Sequence, residues 1–378
     1  MARLRLSFYT NIPTPYQQDF FKALAEYFDL TVVYYAQTEK GRQWTINNED
    51  KSYQVSFLND TLMAKAIQNK IKDYHFSWSI IRQVLTDRSD YIILSGAYWI
   101  PNTMVALPIL KAKGKVVSFL GERLQVPKTK IQKHLKSFVL LPLKLGINRL
   151  LLGGKNAIDT YSEFGFNLPY AFIPYNIDVC RFDKNYLNKQ KIISLQLKYK
   201  SQGEFLLLSS GSLDYRKNME SLVRVVKKIN GPIGLIIIGD GPNRSALENE
   251  VADVKNIHLA GFVQADELPY YYAIADAFVF ASRYDGWGVV INEAIAAGLP
   301  VVSSNQVGAA QEWIKDGLNG YICDATNEES FKTAIETLLN APDIRQKQSD
   351  YNRVFSEKTS SAYYAKYLYE LVKQDLRR

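Results

Sequence analysis

The stretch AFVFASRYDGWGVVINEAIAAGLPVVS, residues 277–303, decides the fold class. Residues 277–280 are an apolar run of strand length, and a glycine-containing turn, RYDGWG, follows. A helical pattern opens near Gly288 and stops at Gly298, the C′ position where glycine ends a helix at no steric cost. Pro300 then stands directly ahead of a second apolar run, 301–303. A strand, a helix and a second strand in so short a span make the crossover unit of a parallel sheet.

The same alternation extends in both directions. Short β-branched or aromatic runs at residues 4–9, 31–35, 91–95 and 115–119 are separated by longer helical patterns. After the polar stretch RFDKNYLNKQK from Arg181, the rhythm restarts at 205–209, 234–238, 257–259, 277–280 and 301–303. This is α/β architecture, mostly parallel sheet covered by helices on both faces. A chain of 378 residues exceeds the range in which one core keeps growing, so two doubly wound Rossmann-like domains facing across a cleft are expected. Their expected limits are residues 1–178 and 179–356, with a terminal helix over 357–378 packing back on the first domain. A composition 47% hydrophobic, without repeats or low-complexity tracts, excludes disorder.

Doubly wound sheets bind ligands outside the carboxyl ends of their strands. In the first half those positions hold Asn11-Ile-Pro-Thr-Pro-Tyr16 and Gly121-Glu122-Arg123. In the second half they hold Gly211 through Asn218, Gly239-Asp-Gly-Pro242, Gly261-Phe262-Val263 and the turn from Arg283. Glycine or charge marks nearly every one.

Three of these carry chemistry. Gly239-Asp-Gly241 follows a strongly apolar run, but a dinucleotide fingerprint needs a third glycine where Arg244 stands, so the oxidoreductase reading is weak and a tight turn is the plain alternative. Ser209-Ser-Gly-Ser-Leu-Asp-Tyr-Arg-Lys-Asn218 delivers Arg216 and Lys217 near the start of a helix. The macrodipole disfavours cations there unless an anion shares the site, which points to a phosphate. Asp285 and Glu293 lie eight residues apart across a turn and a helix start. The backbone amides of Gly286, Trp287, Gly288 and Val289 are expected to be open first-turn donors. Carboxylates accept hydroxyl hydrogen bonds and amides hold phosphate, a combination suited to a sugar diphosphate.

Taken together, GSLDYRKN, IIGDGP, IHLAGFVQADELPYYYAIADAFVFAS, DGWGVVINEAIAAGLPVV and VGAAQEWIKDGLNG resemble glycosyltransferase family 4, a retaining group with the GT-B fold. TNIPTPYQQDFF and IPYNIDVCRF agree more loosely. The resemblance implies transfer of a hexose-type sugar from a nucleotide-diphosphate sugar to a glycan or lipid-linked acceptor, in polysaccharide or glycoconjugate assembly. By that resemblance Lys217 contacts the donor diphosphate, Glu293 binds the nucleotide ribose, and Asp285 stands beside the transferred sugar, where glutamate is usual. The family arginine five residues before the lysine is here Ser212, with Arg216 its candidate replacement. Glu122 is the polar candidate where many relatives carry a histidine. The donor side is then Gly211, Ser212, Asn218, Gly239, Phe262, Val263, Gly286, Trp287, Gly288, Val289, Val290 and Glu293. The acceptor side is Asn11, Pro13, Tyr16 and Arg123. With no D-x-D carboxylate pair in the chain, no metal cofactor is expected, and Lys217, Arg216 and backbone amides offset the leaving-group charge. The alternatives are a GT-B-shaped epimerase or phosphorylase, and a donor-binding but inactive partner subunit.

The formal charge of +8 is concentrated, since residues 111–155 hold eleven Lys or Arg against the single acid Glu122. From Lys128 to Arg149 the lysines alternate with Leu, Phe and Val at roughly helical spacing. That fits an interfacial helix on an anionic membrane better than a base-reading surface, with an ordinary solvated face as the plain alternative. No nucleic-acid partner is expected. Cys180 and Cys323 stand in unrelated contexts, without metal-ligand spacing, consistent with a reducing compartment. The start of the chain does not read as a signal peptide, and Lys144 and Arg149 interrupt the longest apolar stretch, so no membrane-spanning helix is expected. The expected location is cytoplasmic, peripheral on the inner membrane face.

Overall fold

A computed structural model describes residues 3–38, 52–68, 70–71, 74–201 and 203–377. Met1, Ala2 and Arg378, the extreme ends of the N-terminal stretch and of the expected terminal helix, lie outside them. The chain divides into two compact units, residues 1–176 with 361–378, and residues 177–360. Against the expected limits, the crossings fall at 176/177 and 360/361. Asn176 is buried and accepts from the Ser361 hydroxyl at 2.8 Å in the first unit, while Ile177 pairs with Ser360 in a parallel bridge of the second.

The described residues of the first unit form a seven-stranded parallel sheet: β1 (Leu4–Thr10), β2 (Phe28–Tyr34), β3 (Gln54–Phe57), β4 (Tyr91–Ser95), β5 (Val116–Gly121), β6 (Arg149–Leu152) and β7 (Tyr170–Phe172), in the order β3-β2-β1-β4-β5-β6-β7. Those of the second form a six-stranded parallel sheet: β8 (Phe205–Ser210), β9 (Ile233–Ile238), β10 (Ile257–Gly261), β11 (Ala277–Phe280), β12 (Val301–Ser304) and β13 (Gly320–Cys323), in the order β10-β9-β8-β11-β12-β13. Central strands such as Tyr91–Ser95, Phe205–Ser210 and Ile233–Ile238 are buried at every position, because helices cover both faces. The expected strands are present; β3, β6, β7 and β13 were missed. β6 opens with a basic residue inside a lysine-rich stretch, and β7 has only three residues.

Strand order reverses between β1 and β4 in the first unit and between β8 and β11 in the second. Loops leaving those strands diverge and open a crevice at the carboxyl edge. The terminal helix Ser361–Asp375 packs on the helix Pro15–Ala25 of the first unit. Tyr369 meets Tyr27 and Phe28 there, at ring-centroid distances of 5.3 and 5.5 Å.

The segment 128–149 is not one helix. Thr129 caps Lys130–Val139 by accepting from the Gln132 amide, and the helix ends at buried Leu140. A second helix, Leu141–Gly146, starts afresh with Pro142 in its first turn, where a missing N–H costs nothing. Arg149 leaves the basic surface altogether. It is buried in β6, paired with Asp375. Among the described residues no helix is long and apolar enough to cross a membrane.

Candidate active site

In the second unit the loops after β8, β9 and β10 are joined by their own backbones. Gly211 N–H donates to Ile238 at 2.9 Å, Leu213 to Asp240 at 3.0 Å and Gly239 to Gly261 at 2.8 Å. That approach requires glycine. Gly239 has φ +136°, and a Cβ there would overlap the Gly211 carbonyl; one at Gly241 would meet Leu213 at 2.6 Å. GDGP is therefore a loop-packing element rather than a tight turn alone.

The β8 loop is folded by Asp214. Its carboxylate accepts from the Ser212 hydroxyl at 2.7 Å and the Lys217 amide at 2.9 Å. Asn218 takes the left-handed conformation, φ +59°, and its side-chain amide donates to Ala281 at 3.1 Å, tying the loop to the end of β11. The absent side chain at Gly211 leaves the space through which the Lys217 stem passes, since a Cβ would stand 3.3 Å from it. Ser212 thus shapes the turn and carries no charge into the site.

Lys217 is buried with Nζ 4.5 Å from the Phe280 ring centroid, and it donates to Asp285 Oδ2. Desolvation pulls its pKa below the ordinary lysine value, with Asp285 opposing in part. Arg216, whose side chain is 45% exposed, reaches the same Asp285 oxygen at 3.1 Å and the Tyr284 carbonyl at 3.4 Å. Its own carbonyl accepts from Ser282 and Arg283 at 3.1 and 2.8 Å, which anchors the residue to the β11 loop. Two cations and a carboxylate so converge at the point where strand order reverses.

Asp285 is fixed through its backbone, donating to Gln306 at 3.0 Å and accepting from Gly308 at 3.2 Å. Its Oδ1 accepts from the Trp287 amide at 3.2 Å. The expectation of an open Trp287 amide is thereby corrected. So is the helix start: the helix is Val290–Ala296, because Gly288 has φ +84° and packs against Val307, where a Cβ would be 2.7 Å away. Trp287 itself is a core residue, buried, edge-on to Trp313 at 5.8 Å and donating to Asn292 at 3.2 Å, so its indole is no donor-binding surface. Gly286 is exposed, Val289 and Val290 are half-buried, Gly298 ends the helix with φ +73°, and after β10 Phe262 is exposed while Val263 is half-buried.

Glu293 lies in the first turn of that helix. Tyr272, fully buried, donates its hydroxyl to Glu293 Oε2 at 2.7 Å. Of the two carboxylates eight residues apart, Asp285 thus accepts from two cations and Glu293 from a phenol. Nothing in the spacing of Tyr272 and Glu293 signalled their pairing.

In the first unit Glu122 follows β5 and is exposed. It accepts from the Tyr175 hydroxyl, and Tyr175 packs edge-on to Tyr16 at 5.2 Å. Tyr16 and Glu122 are thus brought together through Tyr175, a residue missed by the sequence reading. Arg123 is exposed and Pro13 is buried ahead of the helix Pro15–Ala25. Asn11 Oδ1 lies buried beside Gly96, where a Cβ would clash with it, and has no hydrogen-bond partner among the described residues. Among the described residues no group of three His, Cys, Asp or Glu side chains is arranged to hold a metal ion.

The chain has the GT-B fold, two α/β units each built on a parallel sheet with helices on its faces. Residues 195–355 match the family model for glycosyl transferases group 1. In overall structure the chain is similar to HepE of Anabaena in complex with UDP, with a TM-score of 0.79 at 14% identity, covering 98% of this chain and all of that one. In sequence it is 32% identical over 172 residues to an uncharacterized glycosyltransferase of Methanocaldococcus jannaschii, covering 44% of this chain and 43% of the relative. It is 27% identical over 194 residues to a GDP-mannose-dependent α-(1-6)-phosphatidylinositol monomannoside mannosyltransferase of Mycolicibacterium smegmatis, covering 48% and 50%. The match spans about half the length of these curated relatives.

Proposed function

We propose that this chain is a retaining glycosyltransferase of family 4 that moves a hexose-type sugar from a nucleotide-diphosphate sugar to a glycan or lipid-linked acceptor, without a metal cofactor. The observation that carries this is the convergence of Lys217 and Arg216 on Asp285 beneath the loops of the second unit. A buried ammonium and a half-exposed guanidinium at one point suit a diphosphate, whose charge grows as the sugar–phosphate bond breaks. Fixed positive groups in a site of low dielectric stabilise that charge without reorganising during the reaction. The match of residues 195–355 to glycosyl transferases group 1 supports the class, and the nucleotides in the names of HepE's complex and of the mycobacterial relative support the donor.

Until donor arrives, Asp285 holds both cations and offsets part of their charge. A carboxylate one methylene shorter than glutamate is held back on them, so the donor phosphates compete with Asp285 for Lys217 and Arg216. Once the diphosphate takes that place, Asp285 is left to accept from a sugar hydroxyl. The departing phosphate oxygen then removes the acceptor's proton on the face where the new bond forms, retaining configuration. Glu122, held by Tyr175, faces the acceptor.

The acceptor is proposed to be presented at an anionic membrane surface, with the protein peripheral on its inner face. Ile131, Leu135 and Phe138, at helical spacing on Lys130–Val139, are 83%, 65% and 72% exposed, with lysines interleaved. The test is incubation with UDP-glucose or GDP-mannose and lipid or oligosaccharide acceptors in a chelator, with the product anomer read by NMR. An α-linked product from an α-linked donor supports the proposal. A β-linked product, or turnover that requires added metal, overturns it.

A further inference from the structure

We propose that Tyr272 is a positioning residue for the Glu293 carboxylate, so that recognition of the nucleotide ribose depends on a phenol that does not itself touch the ligand. The proposal rests on the donor-side reading of Glu293 given above. Tyr272 belongs to the helix Leu268–Ile274 and is fully buried. Its ring stacks on Phe278 of β11 at 5.5 Å and 24°, and Phe182 meets it edge-on at 5.3 Å and 90°. A ring held from two sides fixes the direction of its hydroxyl, which donates to Glu293 Oε2 at 2.7 Å. Burial, and then the neighbouring Glu293 charge, push the phenol's pKa well above its ordinary value, so it remains a donor over the working pH range.

A glutamate side chain must give up rotamer freedom to stand in one place. Hydrogen bonding to Tyr272 imposes that order before any ligand arrives, and pre-ordered groups bind more tightly. A carboxylate has about four lone-pair sites, so a donor on Oε2 leaves capacity to accept from ribose hydroxyls. A buried phenol needs a partner in any case. Here the partner is an ionised group in the first turn of the helix that follows the Asp285 loop, which makes a carboxylate-orienting role the better account.

Calorimetric titration of UDP, GDP and inorganic pyrophosphate into wild type, Tyr272→Phe, Glu293→Ala and the double variant tests this. Phenylalanine keeps both ring contacts. Tyr272→Phe is expected to weaken the preferred nucleotide roughly 3- to 10-fold, on the scale of losing one ordinary hydrogen bond. Pyrophosphate, which has no ribose, should bind unchanged. The double variant should be no weaker than Glu293→Ala alone, because one interaction is removed in both. Equal weakening of pyrophosphate, or full additivity, would reduce Tyr272 to a packing residue and overturn the proposal. So would wild-type nucleotide affinity in Tyr272→Phe while Glu293→Ala binds poorly. If Glu293→Ala binds both nucleotides like wild type, the ribose reading of Glu293 falls first and takes this proposal with it.

Discussion

Lys217 and Asp285, from loops that leave β8 and β11, are joined by a hydrogen bond across 68 residues of sequence, and Arg216 bonds to the same carboxylate oxygen. If these cations stabilise the leaving diphosphate, each should matter most in the transition state. Lys217→Ala and Arg216→Ala are expected to lower kcat by about two decades each, on the scale of losing one oxyanion-type donor. Initial rates at saturating donor measure this. A silent Arg216→Ala beside a damaged Lys217→Ala would show that Arg216 does not replace the arginine absent at position 212.

The lowered pKa of Lys217 sets a pH dependence. Its ammonium loses a proton as pH rises, and the neutral amine no longer opposes phosphate charge. Affinity for a nucleotide diphosphate should therefore fall on the alkaline side, starting below the ordinary lysine value of about 10.4. Lys217→Arg should move that loss to higher pH, as titrations between pH 7 and 10 would reveal. Because the folded state gives up this proton more readily than the unfolded chain, Lys217 also makes stability rise with pH over the same window.

Arg149 and Asp375 form a bidentate pair at 2.7 and 2.5 Å, their side chains 7% and 8% exposed, and Tyr91 donates to Asp375 at 2.9 Å. Removing one partner leaves a buried charge without compensation, which costs about 3–5 kcal/mol. Asp375→Ala should destabilise the first unit by that amount in urea unfolding. Arg149→Met combined with Asp375→Leu should recover most of the loss, since no lone charge remains.

The exposed row on Lys130–Val139 predicts membrane binding of a particular kind. Lys133 is paired with Glu163, and Lys136 donates to the Gln125 carbonyl at 2.6 Å, so Lys128 and Lys130 are the lysines chosen for the test. Lys128→Gln with Lys130→Gln should weaken binding to anionic vesicles about thirtyfold, at ~1 kcal/mol per residue, and high salt should weaken it too. Ile131→Ser, Leu135→Ser and Phe138→Ser together should abolish it. Sedimentation that ignores both charge and apolar changes would return this helix to an ordinary solvated surface.

The sequence alone determined the repeating strand and helix pattern, because hydrophobic periodicity and glycine or proline punctuation are local properties. It also marked which loops carry glycine and charge, since those follow strand ends directly. Residues 277–303 show both the success and its limit. The strand, the stop at Gly298 and the proline were legible, but the helix start was misplaced because Gly288 has φ +84° and sits against Val307, a residue from the turn after β12. Only tertiary structure decided which charged groups meet. Lys217 with Asp285, Tyr272 with Glu293, Tyr175 with Glu122 and Arg149 with Asp375 each join separate elements. Arg149 counted as surface charge in the sequence and became a buried partner because strand order put β6 under the terminal helix. Side-chain chemistry is written along the chain, but its pairing depends on which strand ends the sheet order makes neighbours.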